Sequence, residues 1–374
     1  MVIVNQERVV EEFLELVQID SESKNEAEIA KSLKAKLEAL GLDVHEDDTK
    51  AKTGLGSGNL IARLKGTKPA ADPILFSCHF DTVTPGNGIK PIINGDIIET
   101  DKTTILGADD KAGIAALLEG IRLLKEGNIA HGDVEFVLTA GEEIGLLGAV
   151  AVDKTALKAK YGFALDSGGS VGEVIVASPD HAKIQAKVHG IAAHAGVAPE
   201  DGVSAIEIAA KAITNMPLGR LDEELTANIG IISGGERTNI VCDLVELTGE
   251  ARAITFSKLE NQMKQMREAL EDAAAERGCT VDVEISYERV GYKLEETDPV
   301  VQVATSAIEK IGRTPKLCAT GGGSDANIFT IAGIPTANLG VGYLDIHSKD
   351  EKMPISELVK LSELVVELIK TVAE

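Results

Sequence analysis

Cysteine is sparse and unpatterned in this chain: Cys78, Cys242, Cys279 and Cys318 are scattered and show no C-x-x-C spacing. That excludes a disulfide framework and a cysteine-based zinc ribbon, and free thiols in apolar or strand-like runs behave as small hydrophobes in a reducing compartment. A long apolar run is missing at the start as well. Glu7, Arg8, Glu11 and Glu12 break MVIVNQERVVEEFLELV before it reaches signal-peptide or membrane-spanning length. The expectation is a soluble, cytoplasmic protein with no membrane partner. Positive charge is short too, with 37 Lys and Arg against 60 Asp and Glu, a formal net charge of -23, and no local basic patch. Such a balance repels phosphate backbones and anionic lipid, so a nucleic-acid partner is not expected. No low-complexity tract or solenoid-period repeat occurs. The glycine-rich turns at 54–58 and 321–323 could suggest a nucleotide binder. Yet neither G-x-x-x-x-G-K-[ST] nor a G-x-G-x-x-G between strand and helix is present, so a phosphate cradle lacks its context.

The 374 residues, 44% of them hydrophobic, suffice for a large core and for two domains. The spacing of Val9, Phe13, Leu14 and Val17, then of Ile29, Leu33, Leu37 and Leu40, predicts two amphipathic helices, the second ended by Gly41. Apolar runs at Ile74 to Cys78, Val134 to Thr139 and Gly162 to Leu165, interrupted by a helical stretch from Lys111 to Lys125, predict an α/β sheet. After Ala177 the pattern becomes α+β, with alternation in AKIQAKVHG, a helix near Ala205 to Met216, strands around Ile229 and Val245, and a charged helix from Leu259 to Arg277. α/β signals return after Val300. The expected organisation is a discontinuous domain, 1–179 and 293–374, with a second domain, 180–292, inserted into it.

Several short segments could carry chemistry. In FSCHFDTV, His79 and Asp81 sit two apart at the carboxyl end of an apolar strand, where ligands collect in open α/β sheets and where a carboxylate can orient an imidazole; a plain turn histidine is the alternative. In LGADDKAGIAAL, Asp109 and Asp110 precede a helix and could simply cap it. In VEFVLTAGEEIGLLGA, Glu142 and Glu143 end an apolar strand; one could hold a metal while the other acts as general base, or both could open a helix. Asp166 in FALDSGG and His347 in YLDIHSKDE are unremarkable singly. Together, His79, Asp109, Glu143, Asp166 and His347 offer two imidazoles and three carboxylates, a set suited to paired zinc with a shared carboxylate; cobalt or manganese could occupy it too.

SCHFDTV, GADDKAG, TAGEEIGLLGA, ALDSGG, GIAAHAG, TGGGSDAN and the late His347 follow one another in an order that spans nearly the whole chain. In that order they resemble the zinc exopeptidase and deacylase family that includes peptidase T, the aminoacylases and succinyl-diaminopimelate desuccinylase, with GADDKAG and GEEIGLLGA closest to peptidase T. The resemblance implies an α/β zinc-exopeptidase, phosphorylase/hydrolase-like catalytic domain with an inserted α+β lid and dimerisation domain. It also implies two zinc ions per subunit, with Asp109 bridging, His79 and Asp166 completing one site, and Glu143 and His347 the other. Asp81 would stand behind His79, a cis peptide would join Asp109 to Asp110, and Glu142 would be the general base on the attacking water. His194 would stabilise the oxyanion from the lid of the neighbouring subunit in a homodimer. Asn239 and Arg252 would grip substrate, and Gly322, Gly323 and Ser324 would lie near it. The expected reaction is hydrolysis of the terminal bond of a short peptide. TGGGSDAN departs from the RGGTDG form associated with strict tripeptide cleavage, which leaves peptide length open. An N-acyl amino acid deacylase with the same metal centre is the nearest alternative, and a noncatalytic metal-binding scaffold is the alternative from another class.

Overall fold

The computed structural model describes residues 3–374, which divide into two compact units. The first comprises 3–176, 294–319 and 323–374, and the second 177–293 with 320–322. Among the described residues no helix is long and apolar enough to cross a membrane.

The first unit is built on a mixed sheet. Its centre holds the strands Val134–Thr139, Ile74–His79, Tyr161–Ser167 and Thr336–Gly340, side by side and parallel. Leu60–Leu64 and Asp43–Glu46 extend it antiparallel on one side. Every residue of Ile74–His79 and of Val134–Thr139 is buried, which is why these segments read as unbroken apolar runs rather than as alternation. The helix Ala108–Glu126 packs against Ile355–Ala373 and Gln6–Val17. Gly120 lets the first two approach closely, since a Cβ there would lie 2.6 Å from Val365 Cγ1. Gln6–Val17 starts at Asn5, whose side chain accepts the Arg8 N–H, and buries Val9, Val10, Phe13, Leu16 and Val17; Leu16, rather than Leu14, completes its inner face. The parallel centre matters for function, because it brings the carboxyl ends of its strands to one edge, where the crevice of an open α/β sheet forms.

In the second unit, five antiparallel strands run in the order Gly219–Arg220, Leu225–Gly234, Leu244–Ala253, Asp180–His189, Val281–Arg289. Ala182, Ile184, Ala186 and Val188 alternate inward from the fourth of these. They meet Ile208, Ala209 and Ala212 of the helix Ala205–Asn215, and Leu259, Met263, Met266 and Leu270 of the helix Phe256–Ala275. The period-2 pattern on the strands and the 3.6-residue pattern on the helices close one two-layer core.

Candidate metal centre

His79 closes its strand with the side chain buried. Its Nδ1 lies 3.0 Å from the backbone oxygen of Asp81, so the ring donates there and leaves the Nε2 lone pair directed outward. Asp81 is a junction: its carboxylate accepts from Ser23 Oγ (2.7 Å), Glu142 N (2.9 Å) and Glu143 N (3.3 Å). Asp81 thus orients the imidazole through its backbone carbonyl and the glutamate segment through its carboxylate. Those glutamates do not end the strand, which stops at Thr139. They lie on the turn that follows, because Gly141 is left-handed (φ 65) and the Ala140 N–H is taken by Asn59 Oδ1.

Asp109 and Asp110 are joined by a cis peptide and have non-helical backbone angles, so the regular helix begins only after them. Asp109 sits between the two imidazoles: Oδ1 is 3.2 Å from His79 Nε2, and Oδ2 is 3.3 Å from His347 Nε2. His347 Nε2 is also 3.1 Å from Glu143 Oε1, and His79 Nε2 is 3.8 Å from Asp166 Oδ1. Ligand atoms of His79, Asp109 and Glu143 lie within 4.8 Å of one another. All five expected ligands are therefore gathered at one place. Tyr343, which sequence reasoning did not single out, is buried with its hydroxyl 3.2 Å from both Asp109 Oδ1 and Asp166 Oδ1. Asn338 grips the Asp166 backbone, accepting from its N–H (3.0 Å) and donating to its carbonyl (2.7 Å).

The electrostatics of this cluster are those of a site built for cations. Burial pushes the carboxyls of Asp166, Asp110 and Glu142 well above the usual range, with neighbouring acids adding to the effect. Burial acts in the same direction on Asp109, but the imidazoles of His347 and His79 outweigh it and hold this carboxyl below the usual range. The imidazoles respond in kind: Asp109 and Glu143 push His347 up to about 10, and His79 is raised by Asp109 and Asp81 although burial opposes it. The nearest buried cationic side chain is Lys111, itself pushed down to about 8 by burial. Aspartate and glutamate oxygens with outward Nε2 atoms, carrying an excess of negative charge in a buried place, fit divalent metal ions.

The remaining expected residues occupy other positions. In the second unit His194 is exposed; its Nδ1 accepts from the Gly196 N–H (3.2 Å), which places the ring proton on Nε2. The Asn239 segment runs beside it, with Asn239 O accepting from Ala195 N (3.0 Å). Arg252 makes a two-pronged pair with Glu250 (3.1 and 3.2 Å) and donates to Gly321 O (2.9 Å). Gly322 N donates to Thr320 Oγ1 (3.1 Å), and Gly322 O accepts from Ser178 Oγ (2.8 Å). Ser324 and Gly323 belong to the first unit. Ser324 is buried with its hydroxyl engaged by the amino end of the helix Asp325–Ile331 and by Asn338, so its place is at a helix cap rather than on an open surface.

Residues 75–371 match the model of peptidase family M20/M25/M40. The chain belongs to this family. Within M20 it is peptidase T-like. It is 57% identical to a solved aminopeptidase PepT from Bacillus cereus, with a TM-score of 0.96, covering 99% of this chain and 100% of that one. A solved tripeptidase from Staphylococcus aureus is 44% identical, with a TM-score of 0.97 and 99% of each chain covered. Peptidase T of Fusobacterium nucleatum is 30% identical over 76% of this chain and 70% of its own. The M20 fold accounts for the division seen here, an α/β unit interrupted by a smaller α+β one.

Proposed function

We propose that this M20 peptidase is a two-zinc exopeptidase that cleaves the terminal peptide bond of short peptides, tripeptides foremost. The observation that carries the reading is the position of Asp109, with one carboxylate oxygen facing each imidazole. His79 and Asp166 would hold one ion, Glu143 and His347 the other, and Asp109 both. Bound there, zinc would supply Lewis-acid polarisation of the scissile carbonyl and would bring the pKa of a water to about 7.

Glu142 is the general base. Its backbone is pinned by Asp81, and its carboxylate has no hydrogen-bond partner among the described residues, so it is free to take a proton. A carboxyl raised by burial accepts that proton from the attacking water more readily than an ordinary glutamate does. The same oxygen returns it to the leaving amine nitrogen. Asp81 keeps the His79 ring in the tautomer whose Nε2 is a ligand. Tyr343 restrains Asp109 and Asp166 with one shared hydroxyl.

The inserted unit acts as lid and dimerisation domain. In a homodimer, His194 from the inserted unit of one subunit would donate from Nε2 to the oxyanion developing in the other, while Asn239 and Arg252 would take the substrate's carbonyl and carboxylate. A guanidinium already matched to Glu250 has the geometry for a second carboxylate, which would replace that pair. A cytoplasmic setting suits four unpaired cysteines. Tripeptide cleavage is supported by the two similar solved structures, one called an aminopeptidase and the other a tripeptidase. The test is a panel of tripeptides, dipeptides and N-acyl amino acids with zinc-loaded protein. Release of the amino-terminal residue from tripeptides is expected; deacylation without peptide cleavage would replace this reading with the deacylase.

A further inference from the structure

We propose that Glu351 is a positioning residue that sets the separation of Asp109 and His347, and through it the affinity of one of the two metal subsites. The proposal rests on the two-metal reading above. Glu351 is 1% exposed and belongs to the segment that carries His347. That segment is closed at its base by reciprocal hydrogen bonds between Leu344 and Lys352, N to O at 2.9 and 3.0 Å. From inside the closed loop the Glu351 carboxylate reaches the chain leading to Asp109. Its Oε2 accepts from Leu106 N (2.8 Å) and Gly107 N (2.8 Å), and its Oε1 accepts from Asp109 N (3.1 Å).

These three donors need such an acceptor. Gly107 is left-handed (φ 71) and Asp109 is extended (φ -80, ψ 104), so no helical turn precedes them to supply carbonyls. One side chain therefore joins the segment bearing the shared carboxylate to the segment bearing the exposed imidazole. It fixes the 3.3 Å approach of Asp109 Oδ2 to His347 Nε2 from behind. His79 has no such dependence, since Asp81 holds it separately.

A carboxylate is required at this position. Glutamine has one acceptor oxygen; if that oxygen stays with Leu106 and Gly107, the amide NH2 meets the Asp109 N–H, donor against donor. Glu351→Gln should thus relax the approach of Asp109 Oδ2 to His347, while Tyr343 still holds Oδ1 on the His79 side and the rest of the anchor stays in place.

The experiment titrates metal-stripped protein with zinc against a chromophoric chelator, and measures kcat, KM and Tm in parallel. Glu12→Gln, another buried carboxylate away from the site, is the comparison. Wild type should show two binding events. Glu351→Gln should keep the tighter one within about 3-fold and weaken the other about 10–100-fold, the usual effect of losing a group that supports a metal ligand. Its kcat should fall and recover with excess zinc while KM holds. Glu12→Gln should lower Tm and leave both zinc affinities alone. Two wild-type zinc affinities in Glu351→Gln, with only Tm reduced, would overturn the proposal. If that variant does not fold, Glu351→Asp, which keeps both oxygens but withdraws them, is held to the same criterion; failure of both to fold in saturating zinc would assign Glu351 to the fold and overturn the proposal. Two zinc ions in a wild type that cleaves no peptide would sink the peptidase reading and leave this one standing, whereas a single binding event in wild type would sink this one.

Discussion

Replacing Glu142 by glutamine exchanges one oxygen for an NH2 group of nearly the same size. The structure indicates that little else should change. The backbone at Glu142 is held through its own N–H on Asp81 Oδ1 (2.9 Å) and through its carbonyl, which accepts from Gly145 (3.0 Å) and Leu146 (2.8 Å). None of these bonds involves the Glu142 carboxylate. The expected ligand set, His79, Asp109, Glu143, Asp166 and His347, is untouched, so zinc content should equal that of wild type. What disappears is a proton acceptor. General-base catalysis by a positioned side chain contributes about 10²–10⁴-fold, which is roughly 3–5 kcal/mol of barrier at about 1.4 kcal/mol per decade. The loss should fall on kcat with KM little altered, because the proton moves only as the barrier is crossed. Initial rates of amino-acid release from a tripeptide, with zinc counted by atomic emission on the same preparation, provide the assay. A variant with both metals and a kcat within about 10-fold of wild type would remove Glu142 from the role of base.

Other perturbations address separate parts of the account. His194→Ala should lower kcat by about 10²-fold with unchanged zinc content, as loss of one oxyanion donor does; wild-type kcat would refute its assignment. Gly120→Ala places a methyl 2.6 Å from Val365 Cγ1 and should destabilise by about 1–3 kcal/mol in urea titration, with kcat preserved at temperatures where the protein is folded. Glu12 gives a pH prediction. Burial favours its neutral form, but Lys36 (2.9 Å) and Arg122 outweigh this and hold its carboxyl below the usual value of 4.5. A depressed folded-state pKa adds stability that is present above the unfolded-state value and is lost as pH falls through the folded one. Glu12→Gln should therefore cost about 1–3 kcal/mol near pH 7, and its Tm deficit against wild type should shrink as pH falls below about 4. A deficit independent of pH would show that the pair is not the source.

The centre of the sheet was legible because strands buried on both faces leave continuous apolar runs, and Ile74–His79 and Val134–Thr139 are such runs. The change of texture at Ala177 was legible because the strand Asp180–His189 alternates by twos around a core of small residues. The expected ligands could be named because their segments kept a recognisable order. Each was locally ambiguous, since an acid before a helix or after a strand has an ordinary explanation. Tyr343 and Glu351 escaped for a physical reason. They act by distance across the fold, Tyr343 on Asp109 and Asp166 and Glu351 on three backbone N–H groups more than two hundred residues earlier. Nothing in their own neighbourhood marks them: a tyrosine among glycines and an acid in a charged SKDEK run look like filler and a solvated turn. The pairing of Arg252 with Glu250 was visible only as i, i+2 spacing on a strand, which states that they share a face and not that they touch.

The most direct test of the central claim is to count metal ions in the purified protein and follow tripeptide cleavage before chelation, after it, and after zinc is restored. The account predicts about two ions per chain, release of the amino-terminal residue, loss of that activity on chelation, and its return with zinc. Tripeptide cleavage that persists in fully metal-stripped protein would contradict it.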